Sequence, residues 1–282
     1  MHKKIVFIIS CFIVGVIACY GYFVEPEMIR VERICIPDDA LSAALGDTKI
    51  VQLSDLHMGE RAGRREMKVL QLLADIRPDL IVVTGDMVQW NQDPQGARQF
   101  IKKLAAPLGV YGVLGDSDMA SGRRHCLFCH PGGNPHLVTG HPKMLKNNLE
   151  RLDIPATGGQ ITIAGVFPQE DDNAWPAGTS DPWPADTPVL LLAHFSGGWP
   201  RMKSKNSLLW LAGDTHGGQI GIPDIVWRLF NLVDYPQYMA GLFSDGEHKW
   251  LYVNRGLGTV SYFPFRIGVP PEITVITFAK SQ

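Results

Sequence analysis

The composition of this 282-residue chain excludes wholesale disorder, because 45% of its residues are hydrophobic and that share is ordinary for a protein with a sizeable core. Charged residues make up only 19%, and the formal net charge is −2. We expect no nucleic-acid partner, because nucleic-acid binding by counterion release needs a basic surface. The 29 glycines and 20 prolines indicate many turns and ordered loops within one large domain.

An uncharged segment at the N-terminus is long enough to cross a membrane. Residues 5–24 carry no charged side chain, and twenty helical residues at about 1.5 Å each span a hydrocarbon core of about 30 Å. Lys3 and Lys4 precede this segment, and Glu25 and Glu27 follow it. The positive-inside rule then predicts a cytoplasmic N-terminus. We expect a single-pass membrane protein, anchored in the lipid bilayer by residues 1–24, with its folded domain on the extracytoplasmic side.

Two other interpretations of this segment remain open. One is a cleaved secretory signal, although the apolar run is long for such a signal and lacks a clear cleavage site. The other is a lipoprotein signal, because residues 16–19 read Val-Ile-Ala-Cys, which is similar to a lipobox. All three interpretations place the folded domain beyond the membrane.

After the anchor we expect a connector over residues 25–47 and then an α/β domain over residues 48–282. Five short, continuously apolar runs in this domain each end in a polar residue, which is typical of buried strands in an α/β sheet. These runs are KIVQLSD, LIVVTGD, YGVLGD, PVLLLAH and LLWLAGD. Between them the apolar spacing predicts helices over residues 64–75 and 93–105, and a shorter one over residues 144–152.

The carboxyl ends of the five predicted strands carry side chains that commonly bind metals. Ligands of open α/β sheets gather at that edge, so we expect these side chains to meet. A polar residue at the end of one strand is ordinary, but seven candidate ligands at five ends predict a metal site. The seven are Asp55, His57, Asp86, Asp116, His194, Asp214 and His216.

These blocks resemble the calcineurin-like metallophosphoesterase superfamily, whose pattern is D-x-H, GD, GNH-D, a lone H and GH-x-H. This chain reads DLH at 55–57, GD at 85–86, GDSD at 115–118, His194, and GDTH at 213–216. The resemblance extends roughly over residues 20–278. The segments GDTHGGQI, VNRGLG and PPEITVITF are similar to a membrane-anchored branch that includes UDP-2,3-diacylglucosamine diphosphatase-like proteins.

The resemblance implies an α/β fold of the four-layer αββα type and a metal-dependent phosphohydrolase. It implies two divalent ions (Mn, Fe, Zn or Mg) and a metal-bridging hydroxide that attacks a phosphoester or diphosphate. The substrate would be a phosphorylated small molecule or a lipid-linked compound. By position, Asp86 and Asp118 are implied as catalytic residues. The first ion would bind Asp55, His57, Asp86 and His216, and the second would bind Asp86, Asp116, His194 and Asp214.

Three residues depart from the family pattern near the second ion. Asp116 replaces an Asn, Asp214 replaces the first His of the last block, and Ser117 replaces a His thought to assist the leaving group. The two carboxylates make the second site harder and more anionic, which favours Mn²⁺ or Mg²⁺ over Zn²⁺. A serine cannot act as an acid near pH 7. We expect a retuned site, because ligands are replaced by other ligands; a degraded enzyme that keeps the fold is the alternative.

Residues 119–142 are a Cys/His-rich insertion after the third block. Cys126, Cys129 and His130 fit the C-x-x-C-H pattern of c-type haem attachment, in which the thiols bond the porphyrin and the histidine ligates iron. A zinc ion bound at the same residues, a disulfide and free thiols remain open. Haem attachment would make the chain a non-hydrolytic redox or sensing module on the same scaffold, which is the alternative to hydrolysis.

Overall fold

The computed structural model describes residues 2–90, 92–119, 142–166, 183–230 and 236–281. The helices are α1 (His2–Phe23), α2 (Asp39–Leu45), α3 (Arg64–Ile76), α4 (Gln95–Ile101), α5 (Asp116–Met119) and α6 (Asp224–Leu229). The strands are β1 (Arg30–Pro37), β2 (Ile50–Leu53), β3 (Leu80–Thr84), β4 (Val110–Val113), β5 (Lys143–Met144), β6 (Asn148–Ile154), β7 (Gly159–Gly165), β8 (Val189–Leu192), β9 (Leu208–Ala212), β10 (Gly241–Ser244), β11 (Lys249–Val253) and β12 (Glu272–Ala279). Short 3₁₀ turns include Trp199–Arg201 and His216–Gly218.

The described strands form two six-stranded sheets. The first has the order β1-β12-β2-β3-β4-β5, and the second has the order β10-β11-β9-β8-β7-β6. In the first sheet β2, β3 and β4 are parallel, and in the second sheet β7, β8, β9 and β11 are parallel. The loops that follow the parallel strands therefore lie at one common edge of each sheet.

The two sheets pack face to face around a shared apolar core. Leu80 and Val82 of β3 point into this core and meet residues of the second sheet such as Leu190 of β8. The alternate residues of β3, Ile81 and Val83, face the other way and pack against α3 and α4. Because the side chains of a strand alternate between its two faces, this sheet is buried on both sides. The mixed α/β class and the paired sheets of the implied αββα sandwich are confirmed.

All five predicted strands are present, as β2, β3, β4, β8 and β9. The helix predicted over residues 64–75 is confirmed as α3, and the one predicted over 93–105 is shorter, as α4. The helix predicted over residues 144–152 is wrong, because residues 148–154 form strand β6 in an antiparallel pair with β7. Leu145, Leu149 and Leu152 have helical spacing, yet the backbone pairing with β7 determines the conformation.

The connector predicted over residues 25–47 is wrong for most of its length. Strand β1 pairs in parallel with β12 along its whole length, from Arg30 to Pro37. Helix α2 then begins where the Asp38 side chain accepts a hydrogen bond from the Leu41 backbone N–H at 2.9 Å, and Leu41 and Leu45 are fully buried in the core between the sheets. The folded domain therefore starts a few residues after the apolar helix, without a spacer.

Helix α1 is the one helix in the described residues that is long and apolar enough to cross a membrane. Most of its side chains are exposed, but Gly21 near its C-terminal end is buried. The Gly21 carbonyl accepts a hydrogen bond from the Arg266 backbone N–H at 2.9 Å, and the Tyr22 ring lies 5.3 Å from the Phe265 ring. The end of the apolar helix thus contacts the domain directly.

Candidate metal centre

The structure brings all seven predicted ligands to the carboxyl edge of the paired sheets. Two follow β2, one follows β3, one follows β4, one follows β8 and two follow β9. They form three overlapping groups in which the potential ligand atoms lie within 4.8 Å of one another. The groups are Asp55-His57-His216, Asp55-Asp86-His194 and Asp116-His194-Asp214.

The first group is deeply buried. His57 Nε2 lies 3.0 Å from His216 Nε2 and 3.3 Å from Asp86 Oδ2. His216 Nε2 also lies 3.5 Å from Asp55 Oδ1. Two imidazole nitrogens and two carboxylate oxygens therefore converge on one small volume, which is the mixed nitrogen and oxygen donor set of a transition-metal site.

The group of Asp116, His194 and Asp214, called the second group from here on, is open to solvent on one side. His194 Nε2 lies 3.5 Å from Asp86 Oδ1, 3.4 Å from Asp116 Oδ1 and 3.8 Å from Asp214 Oδ1. The His194 side chain is fully buried, whereas 56% of the Asp116 side chain and 42% of the Asp214 side chain are exposed. A ligand from solvent can reach this group from the side on which these two carboxylates lie.

Asp86 links the two groups through its two carboxylate oxygens. Oδ2 faces His57 of the first group, and Oδ1 faces His194 of the second. Oδ1 also accepts a hydrogen bond from the Ser117 backbone N–H at 3.0 Å. The two oxygens of this carboxylate are therefore directed at different histidines, and a backbone hydrogen bond holds one of them in place.

The backbone at the site is strained. Five of the seven candidate ligands have a positive φ between 42° and 71°, a region that non-glycine residues visit infrequently. Such conformations cost on the order of 1–3 kcal/mol each and cluster at functional sites. The five residues are Asp55, His57, Asp86, Asp214 and His216. The sheets therefore hold these side chains in positions that the isolated chain does not favour.

Glycines beside the ligands are required by close packing. A Cβ on Gly115 would lie 2.5 Å from the Asp86 backbone nitrogen and 2.8 Å from Asp86 Cγ, and closer still to Oδ1. A Cβ on Gly213 would overlap Ser54 Oγ and Asp55 Oδ2. Each of these glycines directly precedes one candidate ligand, and its lack of a side chain leaves room for a second ligand from another loop.

The two histidines of the first group are neutral. Burial lowers the pKa of His57 to about 3, and the nearby charges of His194 and Arg65 act in the same direction. Burial also lowers the pKa of His216 well below its usual value, with further contributions from His57 and Arg266. A neutral imidazole is the form that binds a metal, so this group offers its ligand atoms without first losing a proton.

The second group has the opposite electrostatics. Burial raises the pKa of Asp86 well above its usual value, and the charges of Asp118, Asp116 and Asp55 raise it further while His194 lowers it. Burial alone would lower the pKa of His194, but the surrounding carboxylates raise it well above the usual value. Burial likewise opposes ionisation of Asp116, yet its interactions with His194 lower its pKa to about 2. Without a metal, a proton on His194 balances the carboxylate charge.

The orientation of His194 leaves one nitrogen directed at the carboxylates. Its Nδ1 lies 2.9 Å from the Thr84 carbonyl oxygen, which can only accept, so Nδ1 carries the hydrogen. The buried Nε2 makes no hydrogen bond of good geometry, although three carboxylate oxygens surround it. A backbone carbonyl that fixes one imidazole nitrogen while the other points at acidic side chains is the usual arrangement around a bound metal. The residues present therefore fit a divalent cation.

The predicted catalytic residue Asp118 has a different environment. It is fully buried, and its carboxylate accepts backbone hydrogen bonds from Met87, Val88 and Gly115 at 2.9–3.0 Å. These bonds join the loop after β3 to the loop after β4. We therefore propose that Asp118 is a positioning residue, because its carboxylate is directed at the backbone and away from any substrate.

Ser117 is likewise turned away from the site. The residue is buried, and its Oγ donates a hydrogen bond to the Val88 carbonyl at 2.8 Å. Its hydroxyl is therefore occupied by the backbone, which agrees with the expectation that position 117 supplies no proton to a leaving group.

Arg266 supports the first group in a way that sequence reasoning missed. Its guanidinium is fully buried and donates to the carbonyls of Arg255, Gly258 and Val269 at 2.6–3.0 Å. Nη2 also lies 3.3 Å from His216 Nδ1. Burial lowers the pKa of Arg266 to about 9. The sequence signal for this contact was the glycine-rich VNRGLG segment, which supplies two of the three carbonyls, those of Arg255 and Gly258.

The insertion predicted to bind haem or zinc lies outside the described residues. Cys126, Cys129 and His130 fall within the gap between residues 119 and 142. Haem, zinc and a disulfide at these positions therefore stay predictions.

Comparisons with known proteins agree with the geometry. A family model described as calcineurin-like phosphoesterase matches residues 48–218. The chain is 30% identical over 272 residues to the uncharacterized metallophosphoesterase YkuE of Bacillus subtilis (strain 168), covering 93% of this chain and 91% of that protein. It is 26% identical to the UDP-2,3-diacylglucosamine pyrophosphatase LpxG of Chlamydia trachomatis (89% and 90% covered) and 26% identical to the phosphodiesterase YaeI of Escherichia coli K12 (91% and 91% covered).

Proposed function

The chain belongs to the calcineurin-like phosphoesterase family and is a metal-dependent phosphohydrolase, and from this premise we propose that it hydrolyses a lipid-linked phosphoester or diphosphate at a dinuclear metal centre. Asp86 is the ligand shared by the two ions. Asp55, His57 and His216 complete the first site. The second site, on the solvent side, consists of Asp116, His194 and Asp214 together with the shared Asp86.

One observation carries the dinuclear proposal. The two oxygens of Asp86 face different histidines, with Oδ2 at 3.3 Å from His57 Nε2 and Oδ1 at 3.5 Å from His194 Nε2. A carboxylate that served a single ion would not need a second histidine at its other oxygen. When bound, two divalent cations about 3.5–4 Å apart activate water and neutralise charge on the reacting phosphoryl group.

The residues around the proposed ions determine the side from which the substrate binds. The exposed carboxylates of Asp116 and Asp214 mark the open side of the site, so the phosphoryl group approaches there. The buried histidines His57 and His216 exclude water from the opposite side. Ser117 gives no proton to the departing oxygen, because its hydroxyl donates to the Val88 carbonyl. Such a site suits a leaving group that departs as a stable anion, such as the nucleotide released from a diphosphate ester.

The substrate class follows from the relatives and from the apolar helix. LpxG is named for a diacylated nucleotide sugar that contains a diphosphate, and YaeI is named a phosphodiesterase. Helix α1 has the length and composition to hold this chain at a membrane, where a lipid-linked diphosphate resides. We therefore favour a lipid-linked diphosphate over a soluble phosphomonoester.

We further propose that residues 1–24 are an uncleaved anchor and that the domain lies on the extracytoplasmic side. Lys3 and Lys4 before the apolar segment support this orientation. The test is a pair of reporters fused after Gln282, one active only outside the cytoplasm and one active only inside. Activity of the cytoplasmic reporter alone would reverse the orientation.

The proposed function is tested with the purified full-length protein, stripped of metal and reloaded with Mn²⁺. We expect hydrolysis of a diacylated nucleotide-diphosphate sugar in detergent micelles, and we expect Asp86→Ala to abolish it and to lower bound metal at both sites. The matched control is Asp153→Ala, which removes an exposed carboxylate of β6 that bonds Gln160. Near-full activity and metal content in Asp86→Ala would show that Asp86 does not bridge two ions.

A further inference from the structure

The surface beside the metal centre carries apolar side chains that face solvent. On α6, Ile225 and Leu229 are four residues apart and therefore lie on one helix face, and Phe230 follows directly. Ile225, Leu229 and Phe230 are 57%, 73% and 69% exposed, and Tyr262 on a neighbouring loop is 87% exposed. Apolar groups exposed together in this way mark an interaction surface.

This surface is continuous with the end of α1. A backbone bridge joins Ile220 to Ile267, and the Gly221 N–H donates to the Ile267 carbonyl at 2.7 Å. The residue before Ile267 is Arg266, whose backbone N–H donates to Gly21 in the last turn of α1. The segment that leads into α6 and the end of α1 are thus bonded to the same two adjacent residues, Arg266 and Ile267.

The length of α1 places these two residues at the boundary of the bilayer. The helix has 22 residues and is about 33 Å long at about 1.5 Å per residue, which barely exceeds a hydrocarbon core of about 30 Å. Its last turn must therefore lie where the hydrocarbon ends. Because Gly21 in that turn is packed against Arg266 and Ile267, no spacer separates the domain from the lipid.

We propose that α6 and the loop of residues 260–265 form a membrane-contact surface that seats the metal centre at the level of the lipid headgroups. The proposal rests on α1 spanning the bilayer, as proposed above. The occupant of the surface is the bilayer itself, because the surface adjoins the anchor. An exposed tyrosine such as Tyr262 is typical of the membrane interface, and Arg228 beside Leu229 suits lipid phosphates.

The same surface is attached to the turn that carries His216. The Trp227 ring of α6 lies on Gly218, where an added Cβ would overlap it. The Gln219 side chain donates to the carbonyls of Phe263 and Phe265 at 2.6 and 3.0 Å and accepts from the Val260 N–H at 2.9 Å. The turn of residues 214–218 also carries Asp214, whose exposed carboxylate marks the open side of the site. Contact of α6 and the loop with lipid would therefore place this turn beside the headgroups, within reach of a phosphate that stays attached to its lipid.

The test is photo-crosslinking of the full-length protein in vesicles of phosphatidylethanolamine and phosphatidylglycerol. The photoreactive p-benzoylphenylalanine replaces Leu229, Phe230 or Tyr262, one at a time. The matched control is Ala156, an exposed residue in the turn between β6 and β7, at the opposite end of the parallel strands from the metal centre. Phe12 in the middle of α1 reports on the anchor. Mass spectrometry identifies the adducts.

We expect phospholipid adducts at Phe12 and at all three surface positions, at least tenfold above the yield at Ala156. Adducts at Phe12 without adducts at Leu229, Phe230 and Tyr262 would overturn the membrane-contact surface and leave the anchor intact. Crosslinks from the three positions to a second protein chain would also overturn it. Absence of lipid adducts at Phe12 as well would overturn the anchor and the surface together, while metal-dependent hydrolysis in detergent would be unaffected.

Discussion

Replacing Gly115 by alanine adds one methyl group against the carboxylate proposed to bridge the two ions. The new Cβ would lie 2.8 Å from Asp86 Cγ and 2.5 Å from the Asp86 backbone nitrogen. Carbon atoms in contact are about 3.5–4.0 Å apart, so the carboxylate or the loop after β4 has to move by about 1 Å. Either movement shifts Asp86 relative to His57 and His194, on which the proposed bridge depends.

The expected cost follows from that displacement. A misplacement of about 1 Å at a catalytic group lowers the rate on the order of 100-fold, and overpacking a buried site costs about 1–3 kcal/mol of stability. We therefore expect Gly115→Ala to fold with a lowered Tm and to lose about 100-fold in kcat. The bound Mn²⁺ should fall below two ions per chain.

The assay compares kcat, metal content and Tm of Gly115→Ala with those of Gly59→Ala. Gly59 is the matched control, because it lies two residues after His57 and a Cβ there would meet nothing within 4 Å. We expect this control to keep wild-type activity. If Gly115→Ala kept kcat within about threefold and retained two ions, the close packing around Asp86 would have no functional meaning, and the reasoning from glycine positions would fail.

Three further predictions concern the second site. The pKa of His194 is raised well above its usual value in the metal-free protein, so the imidazole is protonated near pH 7 and Mn²⁺ must displace that proton. The affinity for Mn²⁺ should therefore rise with pH, and calorimetry in buffers of different ionisation enthalpy should record proton release. Asp116→Asn combined with Asp214→His should shift the metal preference from Mn²⁺ towards Zn²⁺, measured as activity with each ion; an unchanged preference would contradict the argument from ligand hardness. Rates on aryl phosphoesters should depend steeply on leaving-group pKa, and Ser117→Ala should leave that slope unchanged, whereas a flatter slope would assign the hydroxyl a role.

Much of the site could be predicted from the sequence, because each candidate ligand follows the end of a buried strand. The run LIVVTGD shows both the strand and its terminal Asp86, and four other runs have the same form. Parallel strands release their loops at one edge, so residues distant in sequence had to meet. That physical rule predicted a cluster of ligands at the strand ends, and the family resemblance assigned Asp55 and His216 to the same ion. The two residues follow strands of different sheets, and the structure places their ligand atoms 3.5 Å apart.

Other features depended on tertiary contacts that no local pattern encodes. Strand β1 reads RVERICIP and is partly exposed, so its polarity resembles that of a linker. Its partner strand, β12, lies about 240 residues further along the chain. The left-handed backbone at five ligands is likewise imposed by the surrounding loops. The role of Arg266 depends on carbonyls gathered from three loop positions. Side chains that bond to the backbone leave little trace in sequence patterns.

The most direct test of the dinuclear centre is electron paramagnetic resonance of the full-length protein loaded with Mn²⁺. Two manganese ions that share the Asp86 carboxylate should give an exchange-coupled spectrum at two ions per chain, in the same samples that hydrolyse the diphosphate substrate. Asp86→Ala should abolish the coupling, whereas Asp153→Ala should retain it. An active wild-type enzyme that shows only the six-line spectrum of isolated Mn²⁺ ions would contradict the account.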